Sequence, residues 1–424
     1  MLAMNEHLLH FIWQYTHFDI LDLKTTNHLP ITLQKIGQHN TNAGPDFNLA
    51  SMIIDGIQWH GDVEIHAKSS DWYIHKHHLD RNYNSVVLHV VWQSDKEVRN
   101  QHGKEIHCLE LKSIVNKRFL ASYHHLMSQK SWIPCQGQIH RIDSIYVSHY
   151  LQRLSIERLE IKTKQFITKF ELVENDWENT FYHSLCYSLG LKLNSNAFLK
   201  LSKLLPISVL NKHKDNIQQV EALLFGVAGF LNDVRDNYGM ALKKEFIFLK
   251  HKYSLDEMDD FEWVFLRLRP SSFPTVRIAQ LATLLAANNG LFSKIMDCSS
   301  CSQLKKLFRT SVSDYWLCHY HFKKTSPPRK KSLGTQWVET MIINTICPLL
   351  FVYSRRKGLM QYQERAMQFL EDIKAESNTI TRNFDKMGVK VKNAMESQGL
   401  IQLKTSYCDA KKCLNCNLGN KLLA

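Results

Sequence analysis

The chain has 424 residues, too many for one small core and enough for two or three domains. Apolar residues make up 44% and charged residues 22%, a globular balance that excludes wholesale disorder. With 53 Lys and Arg against 40 Asp and Glu, the formal charge of +13 favours polyanions, nucleic acid and anionic membrane surfaces among them.

The opening MLAMNEHLLHFIWQY lacks a basic start followed by a clean apolar run, because Glu6, His7, His10 and Gln14 interrupt it, so no secretory signal is expected. Leu8, Leu9, Phe11, Ile12 and Tyr15 instead fall at helical spacing over 5–18. ITLQKIG (31–37) alternates as a strand, and QHNTNAGPD (38–46) is a turn cluster. FNLASMII (47–54) runs into Asp55-Gly56, a hairpin signal, and WHGDVEIHAK (59–68) is the return strand. SSDWYIHKHHLDRNYN (69–84) reads as a short helix capped by Ser69, Ser70 or Asp71. VVLHVVW (86–92) is apolar enough for a strand buried on both faces, and IHCLELK (106–112) is a last strand.

From about 143 the period becomes helical. DSIYVSHYLQRLSIERLEIKTKQFITKFELV is a long helix capped by Asp143 or Ser144, and 217–233, 275–287 and 361–377 continue the pattern. The expected fold is therefore α+β: a mixed α/β domain over 1–140 and a larger all-α region over 141–424. The basic, proline-bearing KKTSPPRKKS (323–332) is where that region would split, and a cysteine-containing tail occupies 407–419. The most apolar window, MIINTICPLLFVY (341–353), holds Asn344 and Pro348 and falls short of the roughly 20 residues a bilayer demands, so it reads as a buried helix and no membrane attachment is expected. Ten cysteines without an export signal are expected to be reduced thiols in a cytoplasmic protein.

The chemically pointed feature is GDVEIHAK. Alternation along a strand sends Val63, Ile65 and Ala67 one way and Asp62, Glu64, His66 and Lys68 the other. The partner strand begins at Asp46, just after a rigid Gly-Pro turn. Carboxylates converging there, Asp46 and Glu64 first, would hold Mg²⁺ or Mn²⁺, with His66 or Lys68 handling a water and Asp62 assisting. The plainer alternative is a half-exposed sheet whose mixed charges are merely solvated. Bulky neighbours (Trp59, Trp72, Tyr73), histidines at 75, 77 and 78, and the GPDF turn favour a site.

The run N-x-x-x-GPDF…DGxxWxGDVEIHxKSSDWxxHxHxxDxxYxxVxLHVV closely resembles an uncharacterised bacterial family, a domain of unknown function. KHKDN (212–216), EALLFGVAGFL (221–231), LRLRPSSFPTVRIAQLA (266–282) and YCDAKKCLNCNLG (407–419) resemble it too. That resemblance implies one family architecture and no reaction. More distantly, the N-terminal order resembles the PD-(D/E)XK nuclease superfamily, which implies a restriction-endonuclease-like domain. Pro45-Asp46 would match the PD and Glu64 the second acid, while His66 stands where the family has lysine and Lys68 lies one pleat on, about 7 Å further. Glu6 would be the helix acid by order alone.

In the tail, Cys408, Cys413 and Cys416 fall within nine residues, and Cys135 in WIPCQ is the candidate fourth ligand for zinc or an iron–sulfur cluster. Certain RecB-like nucleases hold their core with one distant and three clustered cysteines, although there the distant one precedes the core. The alternative is a reduced tail that binds nothing. His75, His77 and His78 could supply a zinc site with Asp71 or Asp80, but they do not share a helical face, so most of them are expected to line or flank the cleft without chelating, and His89 is expected to be a satisfied core histidine. Arg267, Arg269 and Arg277 sit among apolar residues and are the candidate nucleic-acid contacts. No nucleotide-triphosphate loop, GxSxG or HExxH occurs. The expected function is a divalent-metal-dependent nuclease acting on nucleic acid. The alternative is a non-catalytic scaffold for nucleic acid or protein that keeps the fold.

Overall fold

The computed structural model describes residues 4–169, 176–322 and 324–423. The chain is α+β and forms two compact units, each described by itself. The first comprises residues 1–147, 387–389 and 404–424, and the second 148–386 and 390–403. The cysteine tail, placed with the helices by sequence order, thus belongs to the first unit. Lys411 fastens it there by donating to the carbonyls of Met127 and Gln129.

The first unit opens with helix α1 (Glu6–Gln14), started by Asn5, whose side chain accepts from the Leu8 N–H. Seven strands follow: β1 (Leu23–Lys24), β2 (Pro30–Lys35), β3 (Gln38–His39), β4 (Phe47–Ile54), β5 (Ile57–Lys68), β6 (Val86–Gln93) and β7 (His107–Glu110). They form one sheet in the order β1-β2-β4-β5-β6-β7, with β3 also on β4. The β4–β5 hairpin turns at Asp55 and Gly56, both with positive φ (49° and 77°), the backbone that an Asp-Gly turn is chosen for. β6 runs parallel to β5 and β7 parallel to β6, so the sheet changes from antiparallel to parallel at β5.

Alternation on β5 works as expected on one side. Val63 and Ile65 pack with Leu88 and Val90 of β6 against Leu8, Leu9 and Ile12 of α1 and Phe119 and Tyr123 of helix α3 (Lys117–Ser128). The opposite face is not solvated. Helix α2 (Asp71–Ile74) and two short turns of 3-10 helix cross it, and Trp72 is sealed with Val86, Val98 and Ile106 in a second cluster. The serines before α2 do not cap it. Their hydroxyls donate to Asp95, Ser70 Oγ at 2.9 Å and Ser69 Oγ at 3.1 Å, and so fasten the crossing segment to the loop after β6.

The second unit is helical. The long helix α4 (Ser144–Lys169) leads into it. The Asp143 carboxylate accepts from the Ile145 N–H, so Asp143 supplies the cap; the last residues expected of this helix, 170–173, lie outside the described ones. Helix α5 (Trp177–Leu189) and later helices at Ile217–Val227, Pro274–Ala287 and Gln361–Asp372 bury a single core. KKTSPPRKKS, from Lys324 onward, is pinned inside this unit. Strand Lys324–Thr325 pairs with His319–His321, and the buried Lys331 ammonium donates to the carbonyls of Trp316, Leu317 and His319. Its composition suggested a linker, but three backbone acceptors hold the buried Lys331. The run Thr335–Lys357 is long and apolar enough to cross a membrane, and 72% of its most apolar stretch is buried within the protein. Its middle, Ile342–Ile346, is wound as a π-helix.

Candidate functional site

Glu64 and His66 of β5 are among the most enclosed polar residues of the sheet, 4% and 1% exposed. A solvated polar face is therefore excluded for this part of the strand. Burying a carboxylate demands compensation, and each Glu64 oxygen meets a different part of the first unit. Oε2 accepts from the Asp46 N–H at 3.1 Å, while Oε1 lies 3.2 Å from His77 Nε2 and 3.5 Å from His66 Nε2. Burial raises the Glu64 pKa, and the charge of Asp46 adds to it, against the opposing pull of His77.

The imidazoles form a chain. His66 Nε2 is 3.0 Å from His75 Nδ1, and His66 Nδ1 is 2.8 Å from His89 Nε2 on the neighbouring strand. The register that sets Glu64 beside His89 makes this last contact. Burial first, then the neighbouring imidazoles, hold His66 down to about 2, and burial holds His89 down to about 3, so both are neutral at physiological pH. A neutral His66 that donates Nδ1–H to His89 keeps its Nε2 lone pair aimed at His75, His77 and Glu64. The ligand nitrogens of His66, His75 and His77 all lie within 4.8 Å of one another.

His75 and His77 converge because the segment is not one helix. α2 ends at Ile74, Lys76 takes a left-handed conformation (φ 63°), and the 3-10 turn begins at His77. The expectation that these histidines flank without chelating assumed continuous helical spacing, and Lys76 breaks that spacing. His78 points elsewhere, its ring tilted against Tyr73. His77 stacks on Tyr83 at 3.7 Å between ring centres, and burial together with Glu64 and Asp46 pushes the Tyr83 phenol up to about 12. His89 is buried, but its Nδ1 has no partner, so it serves the chain of imidazoles without being satisfied at both nitrogens.

Asp46 stands beside this group. Its Oδ2 accepts from the Ile65 N–H at 2.9 Å and lies 3.1 Å from His10 Nε2. The first helix therefore brings His10 to the acid, and Glu6 takes no part. His39 packs edge-on to His10. The Nε2 atoms of His10 and His77 are both close to carboxylate oxygens, both buried, and both off the line of a hydrogen bond. Buried nitrogens set this close to carboxylates without a hydrogen bond suit a shared third atom. The donor set of imidazoles and carboxylates suits a borderline divalent cation such as Mn²⁺, Fe²⁺ or Zn²⁺ better than Mg²⁺.

Two expected members stand apart. A shift of register between Asp62 and Val63 turns Asp62 aside, and its carboxylate accepts from the Leu49 N–H at 3.1 Å and the Ser85 hydroxyl at 2.6 Å. Lys68, at the end of β5, is exposed and makes no hydrogen bond or ion pair with the cluster. His10 and Tyr83 were missed, and His75 and His77 were expected only to flank the cleft. The sequence signals for them were an imidazole interrupting an apolar helix, the density of histidine in 75–78, and the lettered positions of His75, His77 and Tyr83 in the run HxHxxDxxY.

With that geometry in view, one comparison decides the family. A model described as "Protein of unknown function (DUF2851)" matches residues 6–379. The chain belongs to that family. No curated protein and no solved structure matches it. The DUF2851 match takes in every residue of the histidine–carboxylate group and stops short of the cysteine tail.

In this DUF2851 member, Cys135, Cys408, Cys413 and Cys416 all fall in the first unit. Cys413 and Cys135 pack into the core beneath the sheet. Burial pushes the Cys135 thiol up to about 12, and Cys416 and Cys413 add to the shift. Burial raises Cys408 as well, with Cys135, Cys416 and Cys413 next in order, so fold and charge both place the four within each other's field. Among the described residues, the group gathered within 4.8 Å is the histidine trio and not these thiols. Arg267 and Arg269 are exposed, so burial does not require an anionic partner for either; only Arg277 is buried.

Proposed function

We propose that this protein is a divalent-metal-dependent phosphodiesterase of nuclease type, its metal held by Glu64, His66, His75 and His77. The observation that carries the reading is the gathering of the ring nitrogens of His66, His77 and the exposed His75 within 4.8 Å of one another, with the buried Glu64 close to His66 and His77 and the Asp46–His10 pair adjoining. The order of helix, antiparallel strands, crossing helix and parallel strand supports it, being the order of the nuclease superfamily that the GPDF and VEIH segments resemble. A cation bound there would lower the pKa of a coordinated water and offset charge on a phosphate. Glu64 and the three imidazoles hold the site, and His89 fixes the tautomer of His66. Asp46, immobilised by the Ile65 N–H, holds its carboxylate beside His10, which is placed to accept the proton of an attacking water. The net positive charge favours a nucleic-acid backbone as substrate.

The test is cleavage of plasmid, single-stranded DNA and RNA by purified protein with Mn²⁺, Zn²⁺ or Mg²⁺, alongside metal analysis. Cleavage with Mn²⁺ or Zn²⁺ that vanishes in Glu64→Gln is expected. A wild-type protein that retains no metal and cleaves nothing with any of them sinks the proposal. The second reading, a scaffold that binds nucleic acid or protein without cutting, is favoured by one observation: the lysine nearest the strand motif is exposed and uninvolved. Retained metal and nucleic-acid binding without cleavage would select it. A separate zinc or iron–sulfur site is proposed at Cys135, Cys408, Cys413 and Cys416, supported by their all falling in the first unit, with Cys135 and Cys413 in one core. Zinc or iron content that falls by one site's worth in Cys413→Ser would support it, and unchanged content would remove it.

A further inference from the structure

The helical unit contains a cleft of about 640 Å³, within the range of small-molecule sites. Its walls come from α4, α5, the helix Pro274–Ala287 and the run Thr335–Lys357, including the π-helical turn that presents Asn344 and Thr345. π-turns inside helices are frequent at functional sites because they re-aim side chains. Four cations line the cleft, Lys162, Lys169, Lys192 and Arg277, and no Asp or Glu is among its described lining residues.

Arg277 is the informative one. It is 8% exposed, its Nε is buried without a hydrogen-bond partner, and its Nη1 donates to the neutral Gln280 amide at 3.0 Å. Burial alone pushes its pKa down to about 10, with no acid offsetting the cost. A guanidinium kept in the interior without a counter-charge is expensive, and an anionic ligand relieves that expense. Lys162 shares the position. Its ammonium donates to Asn344 Oδ1 at 2.7 Å and to Gln398; burial and Arg158 disfavour its charge, while Glu376, behind Gln398, and Cys347 favour it. Lys169 is partly occupied by Tyr187, through a 2.7 Å hydrogen bond and a ring contact, while Lys192 stands exposed at the rim.

The rest of the wall is flat and apolar. The Arg277 guanidinium lies 5.7 Å from the centre of the half-buried Trp337 ring, with Phe166, Leu191 and Met341 nearby and the amides of Gln165 and Gln336 at the margin. An indole beside an uncompensated guanidinium matches a ligand with an aromatic ring and a phosphate. We infer that this cleft binds a 5′-phosphorylated nucleotide, the phosphate on Arg277 and Lys162 and the base against Trp337. The inference is independent of the metal reading. The nucleotide is either a free nucleoside monophosphate or the 5′ end of a strand.

Calorimetric titration of the full-length protein with AMP, adenosine, inorganic phosphate, and a tetranucleotide with and without a 5′-phosphate tests it. Binding of AMP, or of the phosphorylated tetranucleotide alone, is expected, and which of them binds identifies the source. Adenosine and inorganic phosphate should each bind at least about tenfold more weakly, the loss of one charge-assisted contact or one stacked ring. Arg277→Met should weaken binding about tenfold or more, and the rim variant Lys192→Glu, which leaves the core untouched, should weaken it severalfold. Absence of binding by every nucleotide overturns the inference. So do phosphate that binds as tightly as AMP, a 5′-hydroxyl strand that binds as tightly as the phosphorylated one, and affinity unchanged in Lys192→Glu.

Discussion

The histidine–carboxylate group of the first unit and the cationic cleft of the second solve the burial of charge in opposite ways. Glu64 and Asp46 each have an imidazole within about 3.5 Å, and burial holds His66 and His89 neutral. In the cleft the cations outnumber any described acid, and Arg277 has no counter-charge at all. The first arrangement is rich in groups that suit a cation; the second is rich in donors that suit an anion. Each burial pattern therefore specifies the sign of what it would bind, which composition alone could not do, since +13 is a sum over both.

The sharpest way to break the contrast is at Glu64. Glu64→Gln should lower metal-dependent cleavage about 100-fold or more, since a neutral amide binds a divalent cation poorly. Nucleotide binding in the cleft should be unchanged, and a parallel loss of both would show that the two sites are not separable. Next, His89→Phe removes the acceptor that fixes the His66 tautomer. Metal affinity should fall about 10- to 100-fold by equilibrium dialysis, with partial recovery in His89→Gln, which restores an acceptor.

Part of this was legible in sequence. Asp-Gly at 55–56 marked the hairpin, unbroken apolar residues marked β6, and alternation assigned Val63 and Ile65 to the core. Asp46, Glu64 and His66 do share one neighbourhood. What covers them was not legible, because it depends on Trp72 docking and on Asp95 receiving two serines from 25 and 26 residues earlier. His75 and His77 were set aside by a periodicity that one left-handed residue cancels. Asp62 and Lys68 were read onto the site by strict alternation. A register shift removed Asp62, and the end of the strand left Lys68 exposed. At 323–332 basic and proline composition imitated a linker, and only tertiary contacts to Lys331 reveal otherwise.

Acid provides a graded test. His66 is held down to about 2 and His89 to about 3, both from 6.5. Below about 6.5 the unfolded chain takes up protons that these native imidazoles refuse, so native stability falls as pH drops from there toward 3. Metal-free protein should show a lower thermal midpoint at pH 5 than at pH 8, and a midpoint unchanged between them would contradict the burial of neutral imidazoles. The smallest effects separate the residues that alternation grouped together. Asp62→Ala should cost about 1–2 kcal/mol in denaturant unfolding through its two lost hydrogen bonds, with little change in cleavage. Lys68→Ala should stay within about 0.5 kcal/mol and leave cleavage intact. A large loss of cleavage there would restore the lysine to the chemistry.

The left-handed bend at Lys76 makes the donor set a property of folding order. His66 belongs to a strand locked in the middle of the sheet, whereas His75 and His77 arrive only when a short, bent stretch has settled over it. Any ion that grips all three would withdraw the settled form from the equilibrium, so amide exchange over 71–83 should slow on loading and quicken under a chelator while the strands hardly respond. The crossing segment would then act as a built-in gauge of occupancy.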